Sequence, residues 1–374
     1  MKSTAITSIS VHRAEKAYDG SLWNPAFRWF RRTAVIVRVH TAAGVSGIGE
    51  CWTFDTDIAA LVAFLRTEIA PRVVGMDARL IEAVAAAGLK SMALRARQGI
   101  AASAVSGIDI ALWDIAGKLA GRPVWKLLGG CRERVPVYAS GGLYGDNKSA
   151  DDLGGEMAGY VARGFTDVKM KVGALSLAED LARVEAARCA VGPGGRIIVD
   201  ALSGKSVDEA RQLWQALEPA SPYGMQAPVD AEDIDGMAAL VAAGVPVIGL
   251  EAEYRLDAFR RLLERRAVSL LQFNVTCCGG ISRALRIVAL AETFEVPVTL
   301  QCASTALTEV ASCHVATARA AVESVELHQV HDLLRAHLPA EMAEVEAGKV
   351  RLPELPGLGI DVPDDALTLE ATIP

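Results

Sequence analysis

Val168-Lys169-Met170-Lys171-Val172 sets two lysines at i and i+2 inside a short apolar run. Read as a strand, its alternation puts both ammonium groups on one face and Val168, Met170 and Val172 on the other. An exposed edge strand guarded by lysines is the plainer reading. The chemical one is that mutual repulsion and partial desolvation disfavour the charged form, so that one lysine serves as a base near neutral pH.

The sequence on either side of this run favours the second reading. After Gly130 short apolar strands alternate with amphipathic helices, the strands falling at Val135 to Ala139, Asp167 to Val172, Arg196 to Asp200, Tyr223 to Ala227, Val245 to Glu251, Leu270 to Val275, Pro297 to Gln301 and Ser324 to His328. With Lys171, Asp200, Gln226, Glu251, Asn274, Gln301 and Glu326 as markers, the steps are 29, 26, 25, 23, 27 and 25 residues, one strand plus one helix each. Eight such units predict an α/β fold, a closed (β/α)8 TIM barrel over residues 131–330. Ser206-Val207-Asp208-Glu209 has the capping-box pattern and opens a helix reaching Leu217.

Residues 1–130 read differently. Alternating runs such as Thr33 to His40, then Val45 to Glu50 after the turn at Ala43-Gly44, predict antiparallel strands. An aromatic loop from Tyr18 to Phe30 separates the first two, either folded into its own domain or lying over a ligand. Helical periodicity runs from Thr56 to about Ala120, with Gly121 and Pro123 as its stop. This is an α+β domain, and the irregular tail 331–374 is expected to pack back on it.

At 374 residues, 51% hydrophobic and 22% charged, the chain has the composition of a soluble globular protein. A net charge of -7 without a basic run argues against nucleic acid as a partner. No secretory signal and no uncharged apolar stretch of membrane-spanning length is evident, so no membrane is expected. Seven scattered cysteines without Cys-x-x-Cys spacing point to a reducing, cytoplasmic compartment.

A barrel gathers its chemistry at the C-terminal ends of its strands. Asp200, Gln226 and Glu251, on the third, fourth and fifth strands, offer three oxygens to a hard cation such as Mg2+. Such a cation clamps a substrate carboxylate while Lys171 removes the adjacent α-proton.

These motifs resemble the enolase superfamily, in the branch of mandelate racemase and muconate lactonising enzyme. The resemblance runs nearly end to end: Gly47-Ile48-Gly49-Glu50, Asp109 to Lys118, Lys169-Met170-Lys171-Val172-Gly173, Asn274-Val275-Thr276, Cys278-Gly279-Gly280-Ile281 and Pro356-Gly357-Leu358-Gly359. It implies a capping domain over a modified barrel, a divalent metal, and abstraction of the α-proton of a small carboxylate in an epimerase, cycloisomerase or acid-sugar dehydratase. By position, Lys171 is then the base, Lys169 its pKa-lowering neighbour, and Asp200 and Glu251 metal ligands. The loop holding Trp23 and Phe27 would shape specificity, Asn274, Gln301 and Glu326 would face the substrate, and the protein would be a homo-oligomer.

The departures fall in the site itself. The middle metal ligand, normally Glu, is Gln226, so the site loses a negative charge. The Asn usual two residues after the first ligand is Leu202, and the Asp-His dyad of the mandelate-racemase type reads Asn274 and Gln301, neither of which titrates. Cys302 is expected to point away from the face Gln301 uses, His314 to be structural, and His328 and His331 to fill surface or core roles rather than the pocket. One-sided base chemistry is thus expected, the alternative being a barrel with an impaired metal site that binds its ligand without catalysis or without metal. A lysine forming a Schiff base ranks last.

Overall fold

The computed structural model describes residues 3–53, 58–90 and 99–374. The expected helix start at Thr56 lies outside the described residues.

The first domain is an antiparallel sheet backed by helices. Strands β1 (Ile6–Ala17), β3 (Arg31–Thr41) and β4 (Ser46–Cys51) pair in that order, with a two-residue strand β2 (Leu22–Trp23) in the intervening loop. Alternation gives the sheet two apolar faces. Val11, Val35, Val37 and Val39 pack on helices of the same domain, while Ala14, Ala34, Ile36 and Ile48 join the barrel's core.

Eight parallel strands follow: β5 (Arg134–Ser140), β7 (Val168–Lys171), β8 (Ile197–Asp200), β9 (Gly224–Gln226), β10 (Val247–Gly249), β11 (Leu270–Phe273), β12 (Val298–Leu300) and β13 (Val322–His328). A two-residue strand β6 (Tyr144–Gly145) pairs with β2. Pairing of β13 with β5 closes the barrel, as the sequence periodicity predicts. Outward side chains such as Val168 and Met170 lie fully buried under the helices. Because β7 lies between β5 and β8, its lysines point into the barrel, and the edge-strand reading falls.

Ser149, Ser176 and Ser206 each open a barrel helix with a capping box, the last starting the expected helix Val207–Leu217. The eighth strand departs from the repeat. After His328 the helical segments of the described chain are short turns, Arg335–His337, Ala340–Ala343 and Asp364–Ala366. The remaining residues serve the seams instead: β14 (Lys349–Arg351) pairs antiparallel with β5, and β15 (Thr368–Ile373) adds a strand beside β1.

The motifs outside the site fasten the domains together. A Cβ on Gly47 would lie 2.0 Å from the Ala111 carbonyl, so only glycine lets β4 sit directly on the helix Ile100–Ala120. That helix is long and apolar enough to cross a membrane, yet 83% of its most apolar window is buried inside the fold. Its Asp114 accepts from the backbone N–H groups of Ile48 at 3.0 Å and Leu358 at 2.9 Å, tying sheet and tail to one carboxylate. Its Asp109 accepts from the N–H of Ser282 at 3.0 Å, in the first turn of the barrel helix Gly280–Thr293.

Candidate active site

Register delivers the polar residues to one level. Lys171 on β7 is opposite Asp200 on β8, and Asp200 is opposite Gln226 on β9. Below them the barrel is plugged by Tyr138, Ile198, Ile248 and Leu270. This apolar floor makes the charged layer above it a low-dielectric site in which every ion needs a partner.

Each lysine has one. Lys171 Nζ donates to Asp200 Oδ2 at 2.5 Å. Lys169 Nζ lies 2.6 Å from Glu326 Oε1 and 3.6 Å from Asp200 Oδ2, and donates to Gln226 Oε1 at 3.1 Å. The picture of two bare cations pressing on one another is thereby replaced by two compensated ones. Burial alone would weaken the Lys169 ammonium, but Glu326, Asp200 and Glu251 outweigh it and hold its pKa above the ordinary lysine value. The same pairing keeps the Glu326 carboxyl below its usual range against the cost of burial.

Asp200, Gln226 and Glu251 do come together, but not as three oxygens around a common centre. The Gln226 carbonyl oxygen is occupied by Lys169 and by Gln272 Nε2 at 3.1 Å, so its amide nitrogen faces outward and donates to Glu251 Oε2 at 2.9 Å. Turning the amide over would set N–H against the Lys169 ammonium. Gln226 therefore presents a donor where a cation needs an acceptor. Among the described residues no cluster of three His, Cys, Asp or Glu side chains is arranged to hold a metal. Two positions do suit a hard cation. Burial first, and the charge of Asp200 next, push the Glu251 carboxyl above its usual pKa, and a cation held between these two carboxylates would relieve both effects. Asp200 and Glu251 thus fit a divalent cation, and Gln226 joins them only with its amide reversed. Leu202, in the left-handed region at φ 53°, donates its N–H to Asp200 Oδ1 at 3.1 Å.

The facing wall is anchored in the same way. Asn274 Oδ1 accepts from the N–H and hydroxyl of Thr276 at 2.7 and 2.6 Å, which leaves Asn274 Nδ2 to donate to Gln301 Oε1 at 2.6 Å. Asn274 is thus a buried support, and Gln301 turns its NH2 toward the pocket. Cys302 points the other way, its Sγ 3.2 Å from Ser312 Oγ, and burial lifts its thiol far above the ordinary value.

The cavity at the lysines has a volume of about 50 Å3 and is walled by Lys169, Lys171, Glu251, Gln301, Phe27 and His328, among others. Phe27 thus meets the lysines as expected. Trp23 does not: it stacks on Tyr144 at 4.6 Å, anchoring the loop, and lines a neighbouring, more open cavity of about 440 Å3. Glu326 serves Lys169 from beneath. Sequence reasoning missed Gln272, which orients Gln226, and it set aside His328 and His331, which both line the lysine cavity. Their place two and five residues past Glu326, on the last strand's exit, was the available signal. His314 is structural as expected, accepting from the N–H of Trp125 at 3.0 Å and bonding the Leu358 carbonyl at 3.0 Å.

Residues 29–129 match the family model for the mandelate racemase / muconate lactonizing enzyme N-terminal domain, and residues 152–366 the enolase C-terminal domain-like model. The chain is 33% identical over 333 residues to an arabinonate dehydratase from Saccharolobus solfataricus, covering 88% of each. It is 32% identical over 377 residues to a D-galactarolactone cycloisomerase from Agrobacterium fabrum, covering 97% of this chain and 98% of the relative. A racemase from Streptomyces coelicolor A3(2), solved with bound magnesium, superposes with a TM-score of 0.87 at 28% identity over 96% of this chain and 97% of that one.

Proposed function

The chain belongs to the mandelate racemase and muconate lactonizing enzyme family of the enolase superfamily, and from that premise we propose that it uses Lys171 to remove the α-proton of an acid-sugar carboxylate, leading to dehydration or cycloisomerisation. The observation that carries the reading is the contrast between the two walls. Lys171 is a titratable base hydrogen-bonded to Asp200, whereas Asn274 and Gln301 opposite have nothing to titrate.

The proton chemistry is then confined to one face. Lys171 releases Asp200 and loses its proton to solvent, takes the α-hydrogen as the free amine, and returns it to the departing β-hydroxyl, which leaves as water. One C–H and one C–O bond break, one C=C and one O–H bond form, and the amine is regenerated for the next turnover. Among the described residues of the facing wall, Asn274 and Gln301 offer two-base racemisation no second relay. Lys169, held as an ammonium by Glu326 and Asp200, binds the substrate carboxylate and keeps positive charge beside Lys171. A divalent cation held by Asp200 and Glu251, Mg2+ in this reading, would supply positive charge to the carboxylate oxygens as the α-proton leaves. The scattered cysteines support a cytoplasmic, reducing setting, and the family analogy supports a homo-oligomer.

The Gln226 N–H turned toward Glu251 favours a second reading, a protein that holds the acid without a cation and without turnover. Calorimetric titration with Mg2+, followed by incubation with aldonates, aldarates and their lactones in D2O, separates the two. Deuterium at the α-carbon or a 2-keto-3-deoxy acid product is expected. Acids that bind but neither exchange nor react in saturating Mg2+ would establish the second reading instead.

A further inference from the structure

We propose that His328 is a fixed hydrogen-bond donor to the substrate, gripping an acceptor oxygen of the bound acid through Nε2–H while neither giving up nor taking a proton. The identity of that acceptor rests on the acid-sugar reading above; the state of the ring does not.

The ring is set by backbone. His328 is the last residue of β13, and the turn after it aims two N–H groups, from Val330 at 3.2 Å and His331 at 3.0 Å, at its Nδ1. A nitrogen that accepts from two N–H groups has no room for a hydrogen of its own, so the neutral ring carries its hydrogen on Nε2. Arg335 Nη2 holds the His328 carbonyl at 2.8 Å and fixes the turn that presents those amides. The imidazole stacks on His331 at 4.1 Å, and His331 meets Trp29 of the capping domain at 4.3 Å.

Nε2 itself makes no hydrogen bond among the described residues, although His328 is only 4% exposed and lines the cavity with Lys169, Lys171 and Gln301. A donor held at a cavity wall with no protein partner is available to a ligand oxygen. Burial first, then Lys169 and Lys171 across the cavity, Arg335 behind the turn and Arg32 from β3 depress the ring's pKa, outweighing the Glu251 carboxylate on the same cavity wall, with His331 stacked against the ring. A cation would also need a hydrogen on Nδ1, against the two amides. Such a ring grips an oxygen as a neutral donor and is unfit to be the acid or base missing opposite Lys171. Gln301, with its NH2 toward the same cavity, extends the donor surface.

The test begins on the unaltered protein. Ring 15N NMR, with His328→Phe to assign the signals, is expected to show His328 as the Nε2–H tautomer, unchanged between about pH 5 and about pH 8. An Nδ1–H tautomer, or a protonation step in that range, overturns the proposal whether or not any substrate is known. Adding arabinonate, galactarate and galactarolactone in turn, with Mg2+, is expected to shift the Nε2–H signal together with the Trp29 indole. A Trp29 response without His328 removes the His328 assignment alone. Silence from both across the panel removes the acid-sugar reading and the donor's target with it. In kinetics, His328→Phe keeps the ring stack and is expected to lose about tenfold or more in kcat/KM, through KM, while His328→Gln, which retains an N–H, recovers most of it. Equal loss in both variants, confined to kcat, would overturn the proposal.

Discussion

Lys171 Nζ and Asp200 Oδ2 lie 2.5 Å apart at the facing ends of β7 and β8. The proposed base and a carboxylate suited to a cation thus hold each other, and in that role Lys171 must leave the bond to take a proton. Lys171→Ala is expected to lower α-proton exchange in D2O by about 10²- to 10⁴-fold, the usual worth of a positioned base. Lys169→Ala is expected also to lower stability by about 3 kcal/mol, because Glu326 then keeps a buried charge with no cation beside it. Exchange rates followed by NMR, with denaturant unfolding of both variants, check the pair. Undiminished exchange in Lys171→Ala would exclude it as the base.

The lysine cavity, at about 50 Å3, is too small for an acid sugar, whereas ligand sites run to several hundred Å3. Its outer wall is the loop tip, where Asn24 Oδ1 accepts from the N–H groups of Ala26 and Phe27 at 2.9 and 3.0 Å. The loop is moored to the barrel by β2–β6 pairing, the Trp23–Tyr144 stack and a bidentate Arg28–Asp146 pair with both bonds at 2.8 Å. Entry of substrate is expected to swing this tip about its moorings. Asp146→Ala breaks an exposed pair and should leave Tm nearly unchanged, while faster hydrogen exchange at the Trp23 amide and a severalfold higher KM are expected. An unaltered KM together with unaltered exchange would show that the pair does not moor the loop.

His314 links three segments, and burial pushes its pKa down to about 4. The sign is set by which state binds the proton first. Above about pH 6.5 the ring is neutral folded and unfolded, and its contribution is fully present. As pH falls from there the unfolded chain gains the proton while the folded one does not, so stability declines until about pH 4, by about 3 kcal/mol in all. Unfolding free energies at a series of pH values for the natural protein and His314→Gln should differ in slope across that window. Parallel curves would show that the ring is not held neutral.

How much of this was legible in the sequence depends on how local each cause is. The eight strands could be read because a barrel repeats its unit, and the markers from Lys171 to Glu326 kept step with it. The irregular tail could be read from its loss of periodicity, and its return to the first domain is seen in β15 beside β1 and in the Asp114–Leu358 bond. The lysine pair was legible as a site but not in its charge state, since Glu326, at the other end of the barrel sequence, comes beside Lys169 only through the β13–β5 pairing that closes the barrel. His328 was invisible as a donor because its tautomer is set by the amides of the turn after it, and its stack by Trp29 through His331. Composition cannot report which way a ring or an amide is turned.

Gln226 is where that limit has the largest chemical consequence. Its amide is oriented by Lys169 and Gln272, and its N–H occupies Glu251. Replacing it with a glutamate keeps the acceptor that Lys169 and Gln272 use and substitutes a second carboxylate oxygen for the N–H. The new carboxylate, with Asp200 and Glu251 on either side, then makes three like charges in a buried layer, which cost stability without a cation and hold one tightly with it. Gln226→Glu is therefore expected to lower Tm in EDTA, to regain it in Mg2+, and to bind Mg2+ on the order of tenfold or more tightly than the natural protein. Calorimetry and thermal unfolding with and without Mg2+ give both readings without any assay of activity. Equal Mg2+ affinity in the two proteins would mean that the Gln226 amide turns over readily and that its donor orientation is not what sets the site's affinity. A variant that binds Mg2+ more tightly and also exchanges α-protons faster would locate the weak point of the natural site in this one amide.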